Sequence, residues 1–412
     1  MLTNTMVTYP YRGAGRPEAA IAIERTMDLL ARRLGMDPIE LRRRNFIPPD
    51  AFPYETPTGR RYDSGNYAAA LDLALDTLGY EKWRAERDRR RQDPDALPLG
   101  IGVSCYVERS GGETGGLHEF GSLTVHEDGT VTARCGAAPS GQSHETVFPA
   151  LVAKVLGIEE ARVRLIEGDT GEQPEGLGSF ASRSAQVAGA MFQHAATLLI
   201  DEARARAARL WSVPADQVEW VDGTVVHGSA STGLGDLVRA TGPFRVEDRY
   251  EAGMAFPFGA HVAVTEVDPE LGTVRILQLV AVDDCGVVLD PDVVHGQAFG
   301  SAVQGIGQAL YEGMAFDDDG VPHLPGGFLD YLLPTFAEIP PIDIKDTCTP
   351  GPGTPPGAKG AGESGCIGTP AAIVNAVADA LRIADPDLLQ MPLTPDSVWR
   401  AARASRHEEG AR

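Results

Sequence analysis

Lys359-Gly360-Ala361-Gly362-Glu363-Ser364-Gly365-Cys366-Ile367-Gly368-Thr369-Pro370 sets a single carboxylate, Glu363, among four glycines. Glycine allows positive φ and close approach of the backbone to a ligand. The segment that follows, residues 371–381, has apolar residues at helical spacing. Thr369 suits an N-cap and Pro370 the first helical position, so a helix is predicted to begin there. On these residues alone two readings of Glu363 are open. One is a solvated turn glutamate, the commoner fate; the other is a carboxylate presented to a ligand on a tight loop braced by a helix.

Three earlier stretches also set a polar loop at a helix start. Tyr11-Arg12-Gly13-Ala14-Gly15-Arg16-Pro17-Glu18 leads into a helix with Pro17 at its first position, running to about Leu34 and stopped by Gly35. Ala138-Pro139-Ser140-Gly141-Gln142-Ser143-His144-Glu145-Thr146 opens a helix that Gly157 stops. Ala181-Ser182-Arg183-Ser184 leads into a long helix ending near Trp211. Each has a plain reading as a turn or N-cap. The sharper reading is an anion or cofactor site, because backbone N–H groups at a helix N-terminus attract negative charge. Arg12 and Arg183 add planar donor forks that match phosphate oxygens.

In this order the four stretches resemble the molybdenum hydroxylases, the xanthine dehydrogenase/aldehyde oxidase/carbon monoxide dehydrogenase family, over about residues 3–399. The part resembled is the C-terminal part of the molybdopterin-binding subunit. The resemblance implies a hydroxylation with water as oxygen source and Glu363 as general base, with Gly360 and Gly362 beside it in the cofactor site. It implies a molybdopterin with molybdenum, in the cytosine dinucleotide form. Arg12, Gly13 and Ala14 would meet it from the family's R-G-x-G loop. Gly141, Gln142, Ser143 and His144 would do so from its G-Q-G-H-x-T stretch, and Ser182, Arg183 and Ser184 from its G-S-R-S segment.

Departures from the family pattern narrow the substrate. Ser143 stands where the family usually has a second glycine, and Ala181 replaces another. The loop at Ala14 lacks the cysteine of copper-bearing carbon monoxide dehydrogenases and the ring that stacks on purine in xanthine oxidases. An aldehyde or N-heterocycle is therefore the first expectation. A carbon monoxide dehydrogenase-type large subunit is a second, and a non-catalytic split-gene or truncated fragment a third. In the family the R-G-x-G loop lies well inside the subunit, whereas about ten residues precede Arg12 here. The expected partners are an N-terminal molybdopterin-subunit piece, a 2Fe-2S iron–sulfur subunit and an FAD subunit.

Composition bounds the remaining possibilities. A chain of 412 residues can bury one large core or a few ordinary domains, and 43% hydrophobic with 23% charged residues is a soluble globular composition. A net charge of −22 disfavours nucleic acid and anionic membrane as partners. No apolar run is long enough to span a bilayer, and the first six residues have no signal-peptide pattern, so a cytoplasmic location is expected. Cys105, Cys135, Cys285, Cys348 and Cys366 are far apart, with no C-x-x-C. That argues against a disulfide framework or a self-contained zinc or iron–sulfur site, and no metal-ligating residues are assigned. H-E-x-x-H, Walker A and G-x-S-x-G signatures are absent.

The wider pattern predicts a mixed α/β (α+β) chain. Asp37-Pro38-Ile39-Glu40 reads as a capping box and Tyr67–Leu78 as a helix stopped by Gly79. Strands are expected at 101–107, 121–126, 130–134 and 163–166, with a hairpin at 218–226 and a long strand pair at 259–267 and 272–283. Asp283-Asp284 reads as an exposed strand-end pair. A helix over about 293–314 carries Gly296, Gly300, Gly305 and Gly307; their cost to the helix points to close packing against backbone or cofactor. The domain reading is 1–95 as the tail of a first molybdopterin-binding domain, 96–400 as a second, and 401–412 as a flexible tail.

Overall fold

The computed structural model describes residues 9–111, 118–173, 175–316, 322–323, 329 and 331–410. The first six residues, and the last two of the expected tail, lie outside the described residues. Helix α1 (Arg16–Leu34) ends on Gly35 at φ 62°, as its sequence predicts. Helix α2 (Pro38–Asn45) starts on Asp37, whose Oδ1 accepts the N–H groups of Ile39 and Glu40 at 2.8 and 3.3 Å. Only half of the capping box forms, because Glu40 turns to Arg44 at 2.7 Å instead. Helices α3 (Tyr67–Leu78) and α4 (Tyr80–Arg90) lead into strand β1 (Leu99–Val107).

Strands β2 (His118–Val125) and β3 (Val131–Cys135) form a hairpin, followed by α5 (His144–Leu156) and β4 (Val163–Ile166). Helix α6 (Gly189–Trp211) follows a π-helical turn at Ser184–Ala188. Then come α7 (Leu234–Thr241), β5 (Phe244–Glu251), β6 (Phe258–Asp268), β7 (Thr273–Asp284), α8 (Pro291–Leu310), β8 (Ile342–Thr347), α9 (Ser364–Ala380) and α10 (Pro395–Gly410). No helix among the described residues is long and apolar enough to cross a membrane.

Two four-stranded sheets organise these elements. One has the order β5-β2-β3-β4, the other β8-β7-β6-β1. Among the described residues, the only parallel pair in each joins an edge strand, β4 or β8, to its neighbour. Phe148 of α5 and Met191, Phe192 and Leu199 of α6 bury the first sheet's Leu123, Val131 and Ala133. The second sheet is covered on one face by α3, through Leu71, Ala74 and Leu78. Helices α8 and α9 cover its other face. The helices before residue 95 thus share a core with strands after it.

Helix α9 is buried along nearly its whole length, which a small-residue strand makes possible. A Cβ on Gly100 would stand 1.9 Å from the Ala376 carbonyl oxygen, and one on Gly102 would stand 2.0 Å from that of Ala372. Asn375 ties α9 to its neighbours by donating to the carbonyls of Glu24 and Val103 at 3.2 and 3.1 Å. These contacts fix where the N-terminus of α9, and so Glu363, is placed.

Four expectations are corrected. Helix α9 begins at Ser364, with Glu363 as its cap residue, so Thr369 and Pro370 lie inside the helix. The first turn is satisfied from elsewhere: Ser301 Oγ of α8 accepts the Gly365 N–H at 3.0 Å, and the Glu363 carbonyl accepts that of Cys366 at 3.0 Å. Asp283 and Asp284 are buried. Tyr106 and His261 donate to Asp283 at 2.5 and 3.0 Å, and the Thr347 and Thr349 hydroxyls each donate to Asp284 at 2.8 Å. In α8 only Gly305 and Gly307 have close neighbours, and nothing lies within 4 Å of a Cβ on Gly296 or Gly300. Residues 401–410 belong to helix α10, with Ala401 and Ala402 buried, rather than to a flexible tail.

Candidate active site

A cavity of about 560 Å³ opens where the loops before α1, α5, α6 and α9 converge, with α8 along one side. Arg12, Gln142, His144, Ser182, Arg183, Ser184, Gly362 and Glu363 all line it. Residues up to 351 positions apart in the chain thus come together at one cavity. Gly13, Ala14, Gly141, Ser143 and Gly360 do not line it and shape the loops from behind.

Glu363 stands at the wall, largely buried. Its Oε1 accepts the Gly13 N–H at 3.2 Å. Its Oε2 accepts from Arg16 Nη1 and from the Ser182 hydroxyl, both at 3.4 Å. Gly13, at φ 99°, is what turns its N–H toward the carboxylate, and a Cβ there would strike Pro17. Gly360 lets the chain slip between Ser110 and Ser182, whose Cβ atoms would lie 2.7 and 2.4 Å from an added methyl.

Arg12 spends its donors inside the protein. Nε reaches the Gly362 carbonyl at 2.5 Å, Nη1 the Gln304 side chain at 2.8 Å, and Nη2 the Gln297 side chain at 2.9 Å. It staples the first loop to α8 and to the Glu363 loop. Arg183 is fully buried; it pairs with Glu119 at 2.7 Å and donates to the carbonyls of Gly178 and His118 at 2.8 and 2.5 Å. This arrangement favours bracing of the 178–184 loop over the phosphate contact expected from the sequence. Ser184 Oγ donates to Ser179 Oγ at 3.0 Å.

The second loop is shaped by left-handed backbone at Gly141 (φ 99°) and Ser143 (φ 57°). Ser143 occupies the cap position of α5 without a side-chain cap bond. Gln142 Oε1 accepts the Ser140 N–H at 2.5 Å, and the Gly141 carbonyl accepts from Gln297 at 3.4 Å. His144 Nδ1 donates to Glu167 at 2.9 Å, which orients the ring, while its buried Nε2 has no partner. In the third loop Ala181 and Ser182 are left-handed too, at φ 49° and 52°. Non-glycine residues held there mark strain that the surrounding structure must support.

Sequence reasoning missed Arg16, Glu167, Gln297, Gln304 and Glu108. Gln297 and Gln304 are spaced by two helical turns on α8, a signal hidden by the attention that its glycines draw. Glu108 follows an apolar strand and is fully buried; desolvation, then the neighbouring Glu363 charge, raise its carboxyl well above the ordinary range. Burial also pushes the Cys366 thiol, in the first turn of α9, up to about 12, which keeps it neutral.

Family models described as molybdopterin cofactor-binding domains match residues 73–340 and 1–46. The chain is 36% identical over 409 residues to the carbon monoxide dehydrogenase large chain of Hydrogenophaga pseudoflava, covering 94% of this chain and 51% of that one. It is 33% identical over 427 residues to the nicotine 6-hydroxylase large subunit of Paenarthrobacter nicotinovorans, covering 98% and 52%. It superposes on the reconstituted CO dehydrogenase from Oligotropha carboxidovorans with a TM-score of 0.88 at 32% identity, covering 97% and 53%. Against quinoline 2-oxidoreductase from Pseudomonas putida 86 the TM-score is 0.86 at 31% identity, covering 95% and 53%. The chain spans about half the length of the curated relatives it matches. With one molybdopterin-domain model covering more than half of it and these folds matching nearly all of it, the chain belongs to the molybdenum hydroxylase family, in its molybdopterin-binding large-subunit branch.

Proposed function

We propose that this chain is a molybdopterin-binding catalytic component of a molybdenum hydroxylase that oxidises an aldehyde or N-heterocycle with water as oxygen source, and that Glu363 is its general base. The observation that carries this reading is the Glu363 carboxyl, set in a cavity wall and oriented by donors from two other loops. The cavity fits a pterin cofactor: His144 Nε2 is buried without a partner, and three loops with left-handed backbone surround it. Gln142, His144, Ser182 and Ser184 are the side chains that would hold it, the cytosine dinucleotide being the form expected. When bound, the cofactor supplies a two-electron redox centre.

Glu363 takes the proton from the water-derived nucleophile, the task of a carboxylate within hydrogen-bond reach. Gly13 and Ser182 keep its two oxygens in register, so little reorientation is needed at the moment of transfer. Phe180, Val287, Leu289 and Val294 give the cavity an apolar side that suits an uncharged substrate and excludes water. The relatives' names, "large chain", "large subunit" and "complex subunit gamma", support work within a complex. We assign the 2Fe-2S cluster and FAD to partner subunits, a further molybdopterin-subunit segment to complete the site, and the cytoplasm as the compartment.

Carbon monoxide oxidation is the second reading, favoured by two relatives of that name at 36% and 35% identity. The loop Gly13-Ala14-Gly15 offers no cysteine for a copper-bearing site, which ranks it below the first. Co-expression with the neighbouring genes tests the choice. Molybdenum and pterin are measured in the purified assembly, and dye reduction is followed with aldehydes, N-heterocycles and carbon monoxide. Stoichiometric cofactor with aldehyde- or heterocycle-dependent turnover is expected. Turnover with carbon monoxide alone would select the second reading, and a full assembly without pterin would leave a non-catalytic role.

A further inference from the structure

Glu108 follows the last residue of β1, and its N–H donates to the Pro257 carbonyl at 2.8 Å, which fixes where the side chain leaves the sheet. The residue is fully buried, and neither carboxyl oxygen has a partner of hydrogen-bonding geometry. Arg16 Nη2 donates to the carbonyl of the next residue, Arg109, at 2.7 Å while its Nη1 pairs with Glu363 at 3.4 Å, so one guanidinium ties the chain at Glu108 to Glu363 and to Ser182, whose hydroxyl donates to Glu363. Other charged or titratable groups among the described residues face this pocket. Arg16, from α1, forms its ion pair with Glu363 at 3.4 Å. Arg12 is committed to Gly362, Gln304 and Gln297. Tyr106, from β1, is bonded to Asp283. An ionised Glu108 would be a buried anion without a donor, next to a second carboxylate, and both costs fall on the same group.

We propose that Glu108 is a positioning residue that holds one proton against Glu363, so that the two carboxyls share a single proton and a single negative charge. The inference rests on the reading of Glu363 as the base. The neutral Glu108 carboxyl donates to Glu363 and leaves the charge on the residue that faces the cavity. When Glu363 takes a proton from the nucleophile, the pair passes from one negative charge to none. Glu108 keeps its own proton throughout, and Glu363 later returns the one it took to solvent.

Infrared titration of the full chain labelled with ¹³C-glutamate tests this without reference to turnover. The wild type is compared with Glu108→Gln and Glu363→Gln, each first shown by circular dichroism to be folded. Glu24 is also buried and raised by desolvation, so the signal is read as the difference between wild type and Glu108→Gln. The expected result is a protonated glutamic acid band at pH 7 that disappears in Glu108→Gln. In Glu363→Gln the same band titrates with a midpoint lower by ~1 or more, because the neighbouring charge has gone. A band unchanged in Glu108→Gln, or a midpoint unmoved in Glu363→Gln, overturns the proposal. The Glu363→Gln arm stands alone should Glu108→Gln not fold. Failure of the base assignment shows separately, as undiminished turnover of Glu363→Gln in the assembled enzyme.

Discussion

Glu119 and Arg183 are sealed from solvent as a pair at 2.7 Å, and the loop that bears Ser182 and Ser184 hangs from them. Removing the cation leaves a buried carboxylate without its partner, which typically costs about 3–5 kcal/mol. Arg183→Ala is therefore expected to lower the denaturant midpoint strongly, and pterin occupancy only as a consequence. Occupancy lost at unchanged stability would restore the phosphate contact that its sequence setting suggests. Glu108 supplies a pH signature. Its carboxyl is raised in the folded chain, so between the ordinary glutamate pKa, about 4.3, and the raised value the folded state binds more protons than the unfolded one. Stability of the wild type falls with rising pH over that window. Glu108→Gln does not titrate, so its melting temperature relative to wild type should climb from pH 5 to pH 8. A flat difference would mean that Glu108 is no buried acid.

At the scale of the element, helix α9 shows which boundaries could be read locally. Gly35, Gly79 and Gly157 end helices where their sequence neighbourhood says, since a left-handed cap is a property of a few adjacent residues. The start of α9 is not local. Ser301, more than sixty residues upstream, accepts the Gly365 N–H, and so the helix begins ahead of Thr369-Pro370. The burial of Asp283 and Asp284 was hidden for the same reason, their partners being Tyr106, His261, Thr347 and Thr349 on other elements. Strand glycines set the depth at which α9 lies. Gly102→Ala drives a methyl into the Ala372 carbonyl, an overpacking of about 1–3 kcal/mol or more, whereas Gly300→Ala on α8 points into open space. The second change should stabilise by ~0.5–1 kcal/mol through helix propensity. A Gly102→Ala variant that melts no lower than the wild type would contradict the close approach of β1 and α9.

Across the whole molecule, two sheets with their helices hold four loops around one cavity. The order of those loops along the chain, and the single carboxylate in the last of them, were legible because each is a short polar motif at a helix start. The bracing set was not, since Arg16, Gln297, Gln304 and Glu108 become functional only through neighbours brought in by the fold. The claim on which everything else depends is that Glu363 moves the proton. Wild type and Glu363→Gln, each co-expressed with the neighbouring genes, are compared for molybdenum content and for turnover at saturating substrate. The expected result is equal molybdenum with turnover lower by ~10² or more, because glutamine keeps the size and cannot accept the proton. Equal molybdenum with turnover near that of the wild type would contradict it.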